Sequence, residues 1–281
     1  MNRRVLITGA SQGIGVAIAR AFAAAGDHIA ICARDGAALD ATAADLRAAF
    51  PRVTVHAQRA DVAVEADVDA LIAGTLAALG GLDTLVVNAG IYGPKGAIED
   101  VDWSAWVDAI RVNLLGAVYT TRAALPALRD ATRAKIMILS GGGATKPLPN
   151  LSAYAASKAG IVRYGETLAE ELRGEGIDVN MIAPGALNTR LLDEVIDAGP
   201  EVVGAAFYAQ SLKQRESGGT PVTLGAELCV WLTTPDADGI TGKLISAPWD
   251  PWRQFGERRE QLAGDVYTLR RIIPEERGWS W

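Results

Sequence analysis

Short runs of apolar, mostly β-branched residues alternate with longer stretches in which apolar residues return every three or four positions. The short runs are Val5-Leu6-Ile7-Thr8, Ile29-Ala30-Ile31-Cys32-Ala33, Val53-Thr54-Val55 and Leu85-Val86-Val87. They are apolar on both faces, as strands covered from two sides must be. Between the first two, Ile14, Ile18 and Phe22 make a helical stripe, and Gly26 stands where that helix would end. Leu39, Leu46 and Phe50 mark a second helix stopped by Pro51, and Val64, Val68, Leu71, Ile72 and Leu79 mark a third. Further strands are predicted at 135–139, 177–182 and 240–245, with a long helix over about 153–173. Strands and helices in alternation predict a parallel sheet with helices on both faces.

Two regions break the rhythm. Residues 186–220 carry Gly, Pro and charge with short apolar stretches, as a mobile lid over a site would. Residues 247–281 hold four of the seven tryptophans, Trp249, Trp252, Trp279 and Trp281. The chain thus divides into one α/β domain, 1–246, and a Trp-rich extension. The extension holds too much apolar area to leave in water, so packing on the site, on a neighbouring subunit or on its own domain is expected.

Of the 281 residues 49% are hydrophobic and 21% charged, the balance of a globular protein, and the length allows a single large domain. The net charge of −6 argues against a nucleic-acid surface, which needs clustered Lys and Arg. No apolar run reaches the ~20 residues of a membrane span. The start, Met1-Asn2-Arg3-Arg4-Val5-Leu6-Ile7, reads as a buried strand and not as a signal peptide, because its apolar run stops at Gly-rich sequence. Cys32 and Cys229 lie apart in apolar segments and read as structural thiols in a reducing, cytoplasmic compartment. With only His28 and His56, neither a metal cluster nor a Ser-His-Asp triad is expected.

Gly9, Gly13 and Gly15 fall between the first strand and the first helix, within Thr8-Gly9-Ala10-Ser11-Gln12-Gly13-Ile14-Gly15. Such a turn lets backbone approach a pyrophosphate, whose charge the helix N-terminus favours. The spacing is G-x3-G-x-G and not G-x-G-x-x-G. Arg34 follows the second strand, where NAD enzymes often place a ribose-binding carboxylate; a guanidinium there suits a 2′-phosphate, so NADP is expected over NAD. The alternative is an exposed Arg34 paired with Asp35. Tyr154 and Lys158, four residues apart, share one face of the long helix. A nearby ammonium favours phenolate, so Tyr154 is expected to have a lowered pKa and to exchange a proton with a carbonyl or alcohol.

Thr8-Gly9-x3-Gly13-Ile14-Gly15, Asn88-Ala89-Gly90, Asn113, Tyr154-Ala155-Ala156-Ser157-Lys158 and Pro184-Gly185 occur in the order and spacing of the short-chain dehydrogenases/reductases. Over residues 3–246 the chain resembles that family. The resemblance implies an α/β fold: a single Rossmann-type, doubly wound, seven-stranded parallel sheet. It implies that Ser11, Gln12 and Ile14 belong to the nucleotide loop, and that Asp61 and Val62 contact adenine. Asn88, Ala89 and Gly90 would support the sheet beside the cofactor, and Asn113 would hold a water that relays protons to Lys158. Ile182, Pro184 and Thr189 would flank the nicotinamide, with Gly185 beside them. Family members form homotetramers or homodimers through long helices, here about 103–129 and 153–173.

Two departures stand out. The family's substrate-orienting serine lies thirteen residues before the tyrosine, and that position is Gly141, with Ser140 one residue early. A slip at Gly141-Gly142-Gly143 would turn Ser140 to the substrate; without it, alternation turns Ser140 away and leaves space at Gly141 for water or substrate. The family's Asp-Gly-Gly after the last strand is replaced by Ser246-Ala247-Pro248-Trp249-Asp250. The leading expectation is an NADP(H)-dependent oxidoreductase interconverting a small-molecule carbonyl and alcohol. The competing one is a nucleotide-binding relative with little turnover, acting as sensor or assembly partner.

Overall fold

The computed structural model describes residues 2–279, so Trp281 lies outside the described residues. The strands are β1 (Arg4–Thr8), β2 (His28–Ala33), β3 (Val55–Arg59), β4 (Thr84–Val87), β5 (Ala134–Leu139), β6 (Ile177–Ala183) and β7 (Lys243–Ser246). They form one seven-stranded parallel sheet in the order β3-β2-β1-β4-β5-β6-β7. The chain crosses back between β1 and β4, which leaves a crevice at their carboxyl ends where α/β sheets bind ligands.

The helices of the first half are α1 (Gly13–Ala24), α2 (Gly36–Ala49), α3 (Glu65–Leu79), α4 (Trp103–Ile110) and α5 (Gly116–Arg129). Then come α6 (Ser152–Glu171), α7 (Arg190–Ala198), α8 (Pro200–Val203), α9 (Ala205–Ser217) and α10 (Val222–Trp231). Strand side chains alternate between two cores. Val5 and Ile7 join Ile18 and Phe22 of α1, Leu39 and Leu46 of α2 and Leu228 of α10. Leu6 and Ile136 join Leu71 of α3, Leu128 of α5 and Ile161 of α6 on the other face. The doubly wound architecture expected from the sequence is the one observed.

Three segments differ from expectation. The helix expected over 103–129 is interrupted by a π-helical turn at Arg111–Leu115, between α4 and α5. The strand expected at 53–55 instead runs from Val55 to Arg59 at the sheet edge. There His56, Gln58 and Arg59 are polar, so no apolar run marks it. The lid region is mostly helical, built of α7, α8 and α9, with Leu192, Val195, Ile196 and Val203 buried.

The extension folds back on its own domain. Trp252, Phe255 and Leu262 are buried in the core beneath α1, α2 and α10, and Trp252 lies 5.6 Å from Trp231 between ring centroids. Farther on it covers the free edge of β7. Leu244 N–H donates to the Tyr267 carbonyl (2.7 Å), and the Lys243 ammonium donates to the Gly264 (2.8 Å) and Val266 (3.0 Å) carbonyls.

Candidate active site

A cleft of about 1400 Å³ opens at the carboxyl ends of the strands. Its floor is the turn from β1 into α1. Gly9 has φ +66°, and a Cβ there would come within 2.7 Å of the Ala89 Cα. At Gly15 a Cβ would overlap the Gly9 carbonyl oxygen, so helix and strand close together only on glycine. The ends of β1 and β4 are tied across this turn. Thr8 Oγ1 accepts from the Asn88 (3.0 Å) and Ala89 (3.1 Å) amides, and Asn88 Nδ2 donates to the Thr8 and Gly9 carbonyls (2.9 Å each).

Gly9, Ser11, Gln12, Gly13, Ile14 and Gly15 line the cleft. The N-terminus of α1 has no side-chain cap and no acidic residue in its first turn, so its amides are open to an anion. Arg34 lines the cleft and is exposed. It forms no ion pair among the described residues; the Asp35 carboxylate instead accepts from the Ala38 amide and caps α2. Arg59, which no motif singles out, donates from Nε to the Arg34 carbonyl (3.0 Å) and brings a second guanidinium there. The register that sets Arg59 beside Ala33 is a property of the sheet. Asp61 and Val62 lie farther along the wall; Asp61 Oδ1 accepts from the Ala63 amide (3.0 Å), and Val62 is buried. An uncapped helix, close-approach glycines and an unpaired guanidinium at the end of β2 fit a dinucleotide.

Asn88, Ala89, Gly90, Ser140, Tyr154, Lys158, Pro184, Gly185 and Thr189 line the other half. Asn113, in the π-turn, is buried behind them. It clasps Ile91, with Oδ1 accepting from the Ile91 amide and Nδ2 donating to the Ile91 carbonyl, both at 2.8 Å. Nδ2 also donates to Ser157 Oγ (2.9 Å), which donates to the Tyr154 carbonyl (2.8 Å). Ser157 carries no signal of its own, although it lies inside the Tyr154–Lys158 segment. Lys158 Nζ donates to the Leu139 carbonyl (2.8 Å) and sits 5.7 Å from the Tyr154 ring centroid. A Cβ at Gly90 would stand 3.3 Å from Asn113 Oδ1 and 3.7 Å from Lys158 Nζ, so the two groups converge over this glycine.

Burial pushes the Lys158 ammonium down to about 8. The Tyr154 hydroxyl is pushed above the ordinary phenol range, first by burial and then by Tyr92. That direction is opposite to the lowering expected from Lys158 alone, because desolvation outweighs an ammonium that points to Leu139 and not to the hydroxyl.

The register does not slip at the glycine run. Ser140 N–H continues the ladder to the Ile182 carbonyl (2.8 Å), and Gly141 is the residue that faces Tyr154. A Cβ at Gly141 would overlap the tyrosine hydroxyl, so that hydroxyl takes up the space the sequence leaves empty. Ser140 Oγ is buried without a hydrogen-bond partner and makes no contact with the Tyr154 hydroxyl of hydrogen-bond length. The outer cleft is walled by Leu191, Val195 and Phe207 of the lid helices, with Trp249 at its mouth. Among the described residues no group of His, Cys, Asp and Glu could hold a metal ion, and no helix is long and apolar enough to cross a membrane.

Comparison with known proteins agrees with this geometry. The short chain dehydrogenase family matches residues 3–198. "Dehydrogenase/reductase SDR family member 4" of Sus scrofa is 31% identical over 87% of this chain and 85% of its own length. The 2-dehydro-3-deoxy-L-rhamnonate dehydrogenase (NAD(+)) of a Sphingomonas species is 31% identical over 86% of this chain and 95% of its own. Among solved structures, a single-site variant of actinorhodin polyketide ketoreductase with NADPH superposes with a TM-score of 0.78 at 27% identity, over 87% of this chain and 95% of that one. A glycine turn beneath an uncapped helix, with tyrosine and lysine across the cleft from it, is thus found in a chain that belongs to the short-chain dehydrogenase family of NAD(P)-dependent oxidoreductases.

Proposed function

We propose that the protein interconverts a small-molecule carbonyl and its alcohol with NADP(H), using Tyr154 as general acid and base. One observation carries the reading. Tyr154 and Lys158 stand on one face of α6, inside the same cleft as the nucleotide turn and across from it. Bound NADPH supplies the hydride. In reduction the Tyr154 hydroxyl gives its proton to the carbonyl oxygen, and in oxidation it takes the proton back. Lys158 and Asn113, converging over Gly90, hold the path by which Tyr154 regains a proton. The preference for NADP rests on Arg34, unpaired among the described residues and seconded by Arg59. Ile98, Trp103 and Leu115 leave apolar area exposed on and beside α4, which supports assembly into dimers or tetramers through α4 to α6. Buried, unpaired Cys32 and Cys229 suit a cytoplasmic setting.

The test is NADPH consumption on a ketone panel of cyclohexanone, ethyl 3-oxobutanoate and acetophenone. Tyr154→Phe should slow reduction by about 10² or more while NADPH still binds. Wild-type speed in that variant would end the acid–base assignment. A wild type that binds NADPH and reduces none of the panel would favour the low-turnover reading, which the glycine at 141 supports. Arg34→Ala should erase most of the preference for NADPH over NADH, about ten- to a hundredfold for one charge-assisted phosphate contact. Tighter NADH binding in the wild type would reverse the assignment.

A further inference from the structure

A carbonyl oxygen that receives a proton from one hydroxyl is usually held by a second donor, and Gly141 offers none. Tyr92, whose ring packs on that of Tyr154, carries a hydroxyl that can fill this role. It follows Ile91, whose amide and carbonyl are both clamped by Asn113, so it leaves a fixed strut. Its ring meets that of Tyr154 edge-on, with centroids 4.5 Å apart and planes at 67°. Lys95 Nζ lies 5.6 Å from the ring centroid, and Lys95 pairs with Glu194 of α7 at 3.2 Å. The ring therefore neighbours both the Tyr154 ring and an ion pair that docks the lid. Tyr92 lines the cleft, and its hydroxyl has no hydrogen-bond partner among the described residues.

We propose that Tyr92 is a substrate-oxygen donor, its hydroxyl holding the carbonyl oxygen beside Tyr154 in place of the serine absent at 141. The inference rests on the carbonyl–alcohol reading above. A donor of this kind must stay protonated while charge develops on the substrate oxygen. Burial, with the Glu194 carboxylate adding to it, raises the Tyr92 phenol to about 12 and keeps it so. No proton leaves Tyr92; only the proton of Tyr154 is transferred. If the Tyr92 ring merely packs against Tyr154, its hydroxyl oxygen is dispensable to the reaction.

Tyr92→Phe keeps the ring and removes that atom. On the same ketone panel its kcat should fall about 10²-fold, as for loss of one oxyanion donor, with the dissociation constant for NADPH unchanged by fluorescence titration. A ring that only packs predicts kcat within about twofold of wild type, and that result would overturn the proposal. A loss in Ser140→Ala with none in Tyr92→Phe would also overturn it, by assigning the donor to Ser140. Failure of the parent reading is separable. There Tyr154→Phe equals wild type, or the wild type reduces nothing, and the Tyr92 assignment falls with it. A Tyr92→Phe loss of NADPH affinity in step with kcat would mark a disturbed site and count against a donor role.

Discussion

At Gly141 a Cβ would overlap the hydroxyl oxygen of Tyr154, a buried side chain whose ring is braced by Tyr92. If the space at Gly141 held water or substrate, a serine there would be either an added donor for small ketones or a block to a bulky substrate. The structure gives a third outcome, because the space belongs to Tyr154. Gly141→Ser would push the tyrosine from its place, and a displacement of about 1 Å at a reacting group costs up to about 10²-fold in rate. We expect kcat on the ketone panel to fall by about tenfold or more, with NADPH affinity retained because the nucleotide turn is untouched. A faster Gly141→Ser enzyme would mean that Tyr154 moves aside freely and that the serine is the better donor. Lys158, held down near 8 by burial, makes a related point. The group meant to tune Tyr154 is itself tuned by the dry site around it.

At the scale of elements, legibility followed burial. β1, β2, β4, β5 and β6 are buried along nearly their whole length, so their runs stand out in the sequence. β3 is an edge strand with His56 and Gln58 half-exposed, and its pattern dissolves into the polar background. The π-turn at Arg111–Leu115 left no trace either, since its five residues are too few for a distinct period to show in the sequence. Yet that turn carries Asn113, and through it the clasp on Ile91. The motif residues were legible because chemistry restricts them: glycine where a Cβ would collide, tyrosine and lysine one turn apart. Tyr92, Ser157 and Arg59 were not, because each matters only through a neighbour that the topology supplies. The lid helices were missed for a similar reason. Gly199 and Gly204 read as loop, but they only separate α7, α8 and α9, which the buried Leu192, Val195 and Val203 hold in place.

For the whole molecule the question is what the Trp-rich extension does, and its tryptophans divide by environment. Trp252 is 2% exposed, donates from Nε1 to the Ala247 carbonyl (3.0 Å) and carries the Arg253 guanidinium 3.9 Å over its ring. Trp249 is 84% exposed at the cleft mouth, and Trp279 is 67% exposed. Only Asp250 and Pro251 separate a core residue from one that faces the site. The extension is thus continuous with the sheet's first core and also closes the edge of β7, whose outer amides would otherwise be open to pairing. Removing it whole would confound these roles, so single substitutions are the sharper measurement. Trp252→Ala should destabilise the fold by about 3–5 kcal/mol, the usual cost of emptying a large buried aromatic site. Trp249→Ala should change stability by less than about 0.5 kcal/mol, as exposed positions do. Urea unfolding of the two variants beside wild type reads the contrast directly. Equal midpoints for both would show that the extension does not belong to the core, and that its place is on a partner instead.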